Sequence, residues 1–144
     1  MLTDIHTADH ISRVISQATA PAFLLGAVAA FVSVLIGRLN RVIDHINVLI
    51  AIADDDPKRA HLKAALPRLD RRARLMNRAI EFAVIAGIST TLLVIWAFMS
   101  AFLGLRHEYG AGVLFAIALA FFAAALFTLW REVRAALRDL EDYV

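Results

Sequence analysis

Three long stretches without a formally charged side chain constrain this chain of 144 residues more than any other feature: the residues between Arg13 and Arg38, Phe82 to Leu105, and Tyr109 to Trp130. A helix rises about 1.5 Å per residue, so roughly 20 apolar residues cross a hydrocarbon layer about 30 Å thick, and each stretch is near that length. The densest part of the first runs from Pro21 to Ile36. None of the three alternates polar and apolar positions as the strands of a membrane barrel do. Composition agrees: 60% of the residues are hydrophobic and mean hydropathy is +0.68, and the excess lies in blocks rather than scattered through one water-soluble core. The expected fold class is an all-α membrane protein, a single membrane domain with transmembrane helices at 20–37, 82–105 and 110–130.

Lys and Arg set the orientation. Arg38, Arg41, Lys58, Arg59, Lys63, Arg68, Arg71, Arg72, Arg74 and Arg78 lie between the first and second spans, and Arg131, Arg134 and Arg138 follow the third; only Arg13 and Arg106 lie on the other side. The positive-inside rule puts residues 38–81 and 131–144 in the cytoplasm and leaves 1–19 and the turn 106–109 outside. A cleaved signal peptide does not fit. The segment before Pro21 is long, carries Asp4 and Asp9, and lacks a basic start.

The flanking segments have their own periodicity. Ile5, Ala8, Ile11, Ile15 and Ala18 recur at helical steps, which predicts an amphipathic helix along the outer interface that turns into the membrane at Pro21, a residue suited to the first turn of a new helix. Leu39, Val42, Ile46, Leu49 and Ala53 carry the first helix past Gly37. Asp56 and Pro57 read as the N-cap and first residue of a return helix, on which Leu62, Leu66, Leu69, Ala73, Met76 and Ile80 face back. Two facing seams predict an antiparallel coiled-coil hairpin extending the first and second spans, with a kink or break at Pro67. Val133, Leu137, Leu140 and Val144 give a matching stripe on a C-terminal cytoplasmic helix.

Lipid gives helices no hydrophobic reason to associate, so small residues that admit close backbone contact have to supply much of the attraction. Such stripes are Gly26, Ala30, Ser33 and Gly37 on the first span, Ala83, Gly87, Thr90, Ala97, Ala101 and Gly104 on the second, and Gly112, Ala116, Ala120 and Ala123 on the third. They suit packing within one chain and self-association alike. At the cytoplasmic boundary Arg38, Arg41, Asp44, Arg78 and Glu81 form a candidate ion-pair cluster, with Glu81 expected at the depth of Arg38 and Asn40 or Asn77 within reach.

Chemistry is sparse. No ionisable group falls in the middle third of a span, which weighs against active transport, while Ser33, Thr90 and Ser100 are candidates for lining a passive pore or for helix packing. Ser and Thr in such helices also bond back to their own carbonyls. His6 and His10 stand four apart, and His107 adjoins Glu108, but neither pair has a third ligand or a nucleophile, so no catalytic, cofactor or metal site is assigned. The chain has no cysteine, which excludes disulfides and thiolate chemistry, and a net charge of +2 gives no warrant for a nucleic-acid partner. Anionic lipids at the cytoplasmic face are the partner that the arginines suggest.

The sequence from Ile11 to Leu49, with its Gln17 to Pro21 start and its Arg38, Arg41, Asp44 exit, and the arginine-rich stretch from Arg71 to Gly104 resemble the bacterial domain of unknown function 2721 family. This sequence has His45 where the resemblance leads one to expect a further arginine. The resemblance covers about three quarters of the chain and implies a small multi-helix protein of the bacterial inner membrane, with no activity attached. The expected function is that of a non-enzymatic membrane protein that self-associates or serves as a scaffold or accessory subunit. The alternative is a passive homo-oligomeric channel.

Overall fold

A computed structural model of the chain describes residues 2–52, 60–103 and 108–141. Three long α-helices, α1 (Leu2–Ile50), α2 (Leu66–Leu103) and α3 (Glu108–Glu141), and one short 3-10 helix (Ala60–Ala65) make up its regular structure. Among the described residues there is no strand. Each long helix is long and apolar enough to cross a membrane, over Ala18–Ile50, Leu62–Ser100 (which takes in part of the 3-10 turn) and Tyr109–Arg138. The chain therefore has the makings of a multi-pass membrane protein. Asp54 to Pro57, the turn with Arg106 and His107, Val144 and the side chains of His6 and His10 lie outside the described residues.

Two of these elements depart from the expected boundaries. Helix α1 runs unbroken through Pro21, which therefore does not open a separate helix. Pro21 cannot donate to the Gln17 carbonyl, but a single missing donor is tolerated in an apolar helix where neighbouring groups take up the slack, and Pro21 is itself buried. Thr19 Oγ1 donates to the Ile15 carbonyl at 3.0 Å one turn away. Ahead of α2 the chain is 3-10 rather than α, and the α-helix begins at Leu66, which puts Pro67 in the first turn, where its missing N–H has no partner to lose.

The chain divides into two compact units, one made of Met1–Phe31 with Ala83–Phe122 and the other of Val32–Phe82 with Ala123–Val144. In the first, the interior is built largely from small side chains: Ala83, Ala86, Thr90 and Ala118 are wholly buried, and Val28 and Leu93 are nearly so. An added Cβ at Gly87 would lie 3.5 Å from Val28 Cγ1, and one at Gly110 3.4 Å from Trp96 Nε1, so a methyl at either would meet a neighbour at ordinary contact distance. Phe31 meets Phe122 edge to face, with centroids 5.6 Å apart. The large side chains Phe23, Ile88, Leu92 and Ile95 are more than half exposed. Small inside and large outside inverts the order of a water-soluble core and suits helices whose outer surface meets lipid.

The second unit has a more conventional core. Val42 and Leu49 of α1 cluster with Leu69 and Met76 of α2, and Leu39, Ile46, Leu66 and Ala73 pack against them. Along α1 the buried positions Pro21, Val28, Leu35, Val42 and Leu49 fall seven apart, the repeat of a knobs-into-holes seam. On α3 the inward positions are Ala118, Ala125, Thr128 and Glu132, not the stripe expected from Val133 and Leu137: Val133 is half-buried and Leu137 exposed. The small residues Gly112, Ala116, Ala120 and Ala123 of α3 also face outward, as do Gly26, Ala30, Ser33 and Gly37 of α1.

The Val28 contact predicts a size limit at Gly87. Gly87→Ala should leave stability within about 0.5 kcal/mol, because its methyl meets only ordinary contact, whereas Gly87→Leu should cost about 1–3 kcal/mol by overpacking. Unfolding of the purified variants in mixed micelles, followed by helical circular dichroism, checks both.

Candidate functional site

Two ion pairs that join different helices converge on one side chain. Glu132 of α3 is wholly buried. Its Oε2 accepts from Arg38 Nη2 at 2.9 Å, and its Oε1 accepts from Arg72 Nε at 3.1 Å and Arg72 Nη2 at 3.0 Å. One carboxylate thus holds a guanidinium from α1 and another from α2.

The helical seams explain the meeting. Arg38 follows the buried Leu35 by three, Arg72 follows the buried Leu69 by three, and Glu132 continues the buried line Ala125, Thr128 by four. Thr128 Oγ1 is committed to the Ala124 carbonyl at 2.8 Å and leaves the carboxylate to the arginines. A buried carboxylate is costly unless its oxygens receive charged donors, and charge-assisted bonds of this kind are about twice as strong as neutral ones. Both oxygens are served, and among the described residues no buried side-chain nitrogen or oxygen lacks a partner. The side chains of Arg38 and Arg72 remain 35% and 25% exposed, so each keeps part of its fork outside the contact. Such an arrangement is fit for clamping three helices.

The residues singled out from sequence are distributed differently. Arg38 pairs with Glu132 and not with Glu81, whose Oε1 accepts from Asn77 Nδ2 at 2.7 Å on its own helix. Arg41, Asp44, Arg78 and Glu81 are all exposed. The reason is axial: Arg72 is the α2 residue that shares a carboxylate with Arg38, and Glu81 lies nine residues farther along α2, about 13 Å at the helical rise. Sequence reasoning missed Arg72 and Glu132. The available signal was the seam of α3, which places a carboxylate at an inward position just past the aromatic end of the apolar run. Arg74 and Asp70 pair along the surface of α2, and with both exposed that contact contributes little.

The hydroxyls considered for a pore are placed as follows. Thr90 is wholly buried and donates to the Ala86 carbonyl at 2.8 Å, and Ser100 donates to the Ala97 carbonyl at 3.0 Å. Ser33 is exposed. The first two hydroxyl protons are thus held by their own helix, which is the usual state of such groups in apolar helices.

Truncating the clamp has graded consequences. Glu132→Gln should destabilise by about 3 kcal/mol or more, because two guanidiniums lose their counter-charge. Arg72→Gln, which removes two bonds, should cost about 2 kcal/mol, and Arg38→Gln, which removes one at a more exposed site, about 1 kcal/mol. Unfolding in mixed micelles gives the order directly; a neutral Glu132→Gln would contradict the clamp.

Comparison with curated proteins and with solved structures gives no match. The profile of one family matches residues 18–141, taking in α1 from Ala18 onward, α2, α3 and the Arg38, Arg72 and Glu132 clamp. On that match the chain belongs to the family described as protein of unknown function (DUF2721).

Proposed function

We propose that the chain is a non-enzymatic protein of the bacterial inner membrane that self-associates, acting as a scaffold or accessory subunit of a larger membrane assembly. The observation that carries this reading is the outward placement of small residues. A Cβ added at Gly26, Gly37 or Gly112 would meet nothing within 4 Å. Ala30, Ala116 and Ala120, a helical turn away on the same stripes, are exposed as well. In lipid, a stripe of small residues is a surface that another helix can approach closely, whereas lipid-facing positions are filled by large side chains, as Phe23 and Ile88 are here.

The chemistry points the same way. The buried carboxylate of Glu132 is taken up by two guanidiniums, and the hydroxyls of Thr90 and Ser100 by their own carbonyls. The distribution of Lys and Arg supports an N-terminus outside and a C-terminus in the cytoplasm. The cluster of Val42, Leu49, Leu69 and Met76 then supports a cytoplasmic hairpin of coiled-coil type that extends the first two spans.

Mass measurement of the protein extracted in mild detergent tests the reading. The expected mass is two or more times 15.8 kDa or that of a complex with another membrane protein. Gly26→Leu combined with Gly112→Leu should weaken self-association about tenfold while leaving the helices folded. A monodisperse single chain with no co-purifying protein would overturn the proposal.

A further inference from the structure

Beside the clamp, and not part of it, lies a second arginine cluster. Arg131, Arg134 and Arg138 recur at steps of three and four on one face of α3, and Phe127 begins the same row. With Arg71 of α2 they line a cleft of about 340 Å³, where among the described residues four of the seven that line it are arginines and none is acidic. Arg134 lies over the Trp130 ring, 4.5 Å from its centroid, and Phe127 packs against Trp130 at 5.4 Å. No ion pair of Arg71, Arg131 or Arg138 is seen among the described residues, whereas the neighbouring Arg72 is taken by Glu132.

Four guanidiniums around one cleft repel one another unless an anion is shared between them. The helix dipole accounts for Arg138 in the last turn of α3 but not for Arg131, ten residues from the helix end. The cleft also has a fixed position along the span: Phe127 and Trp130 form the aromatic edge of the apolar run and the arginines begin at the next residue, which is the order of a bilayer from acyl chain to headgroup. Guanidiniums bind phosphate oxygens in a planar fork, and stacking on Trp130 holds Arg134 ready to do so.

We infer that the cleft of Arg71, Arg131, Arg134 and Arg138 binds the phosphodiester headgroup of an anionic glycerophospholipid, with the acyl chains alongside Phe127 and Trp130. This rests on the membrane placement of α3 and is independent of self-association.

The protein has two tryptophans, so Trp96→Phe leaves Trp130 as the sole reporter. This variant is reconstituted in phosphatidylcholine bilayers containing a minor fraction of chain-brominated phosphatidylglycerol or, in parallel, chain-brominated phosphatidylcholine. Brominated phosphatidylglycerol should quench Trp130 with about fivefold higher apparent affinity. That preference should vanish in Arg71→Gln/Arg131→Gln/Arg138→Gln and survive inorganic phosphate at matched ionic strength. Equal quenching by the two lipids, in a measurement that needs no arginine variant, would overturn the inference. So would a preference that the triple variant retains, or one that inorganic phosphate abolishes, since the cleft would then take the soluble ion. Quenching by neither lipid would instead overturn the membrane placement itself.

Discussion

A carboxylate withdrawn from water has to be given charged donors, and Glu132 receives them from two other helices at once. That requirement fixes more than the side chains involved. Arg38 can reach Oε2 and Arg72 can reach Oε1 only when α1, α2 and α3 are held at one axial level in this unit, so sliding any helix by a turn leaves a buried charge unpaired. Apolar seams of Ala, Val and Leu tolerate such slips far better, because one seven-residue step along them looks much like the next. The clamp therefore specifies which of several similar packings the three helices adopt.

The rest of the structure follows from treating the bilayer as the solvent. In the unit that contains Ala83, Ala86, Thr90 and Ala118, close approach of helix backbones takes the place of a bulky core, and the large residues Phe23, Ile88, Leu92 and Ile95 are left for lipid. The unit that contains the clamp combines that logic with a water-type core of Val42, Leu49, Leu69 and Met76. Charge is likewise divided into two kinds. Arg38 and Arg72 hold the helices together, whereas Arg71 and the row from Arg131 to Arg138 face a cleft with no acidic side chain among the described residues.

The spans were legible because charge-free length is a one-dimensional property: Phe82 to Leu105 reads as a helix long enough to cross whatever it packs against. Pairing is three-dimensional, and there the sequence misled. Glu81 looked like the partner of Arg38 because both lie near the edge of a span, yet the α2 residue level with Arg38 is Arg72, and the shared carboxylate comes from α3. Glu132 was overlooked because it sits in a run of arginines that serve equally well as orientation signals. The small-residue stripes were ambiguous for a related reason. Ala83, Gly87 and Thr90 turn inward while Gly112, Ala116 and Ala120 turn outward, and both sets have the same composition and spacing. Pro21 misled in the opposite sense, since a strong helix-start signal is overridden when the helix continues through apolar surroundings.

The clamp is open to direct measurement. Solid-state NMR of the protein in bilayers, with the Glu132 side-chain carboxyl carbon assigned by its disappearance in Glu132→Gln, can report dipolar contact with arginine guanidinium nitrogens. The structure predicts contacts from that one carbon to two distinct guanidinium groups at roughly 4 Å, one lost in Arg38→Gln and the other in Arg72→Gln. A carboxyl carbon with no guanidinium nitrogen near it, or with contacts that survive both substitutions, would contradict the account.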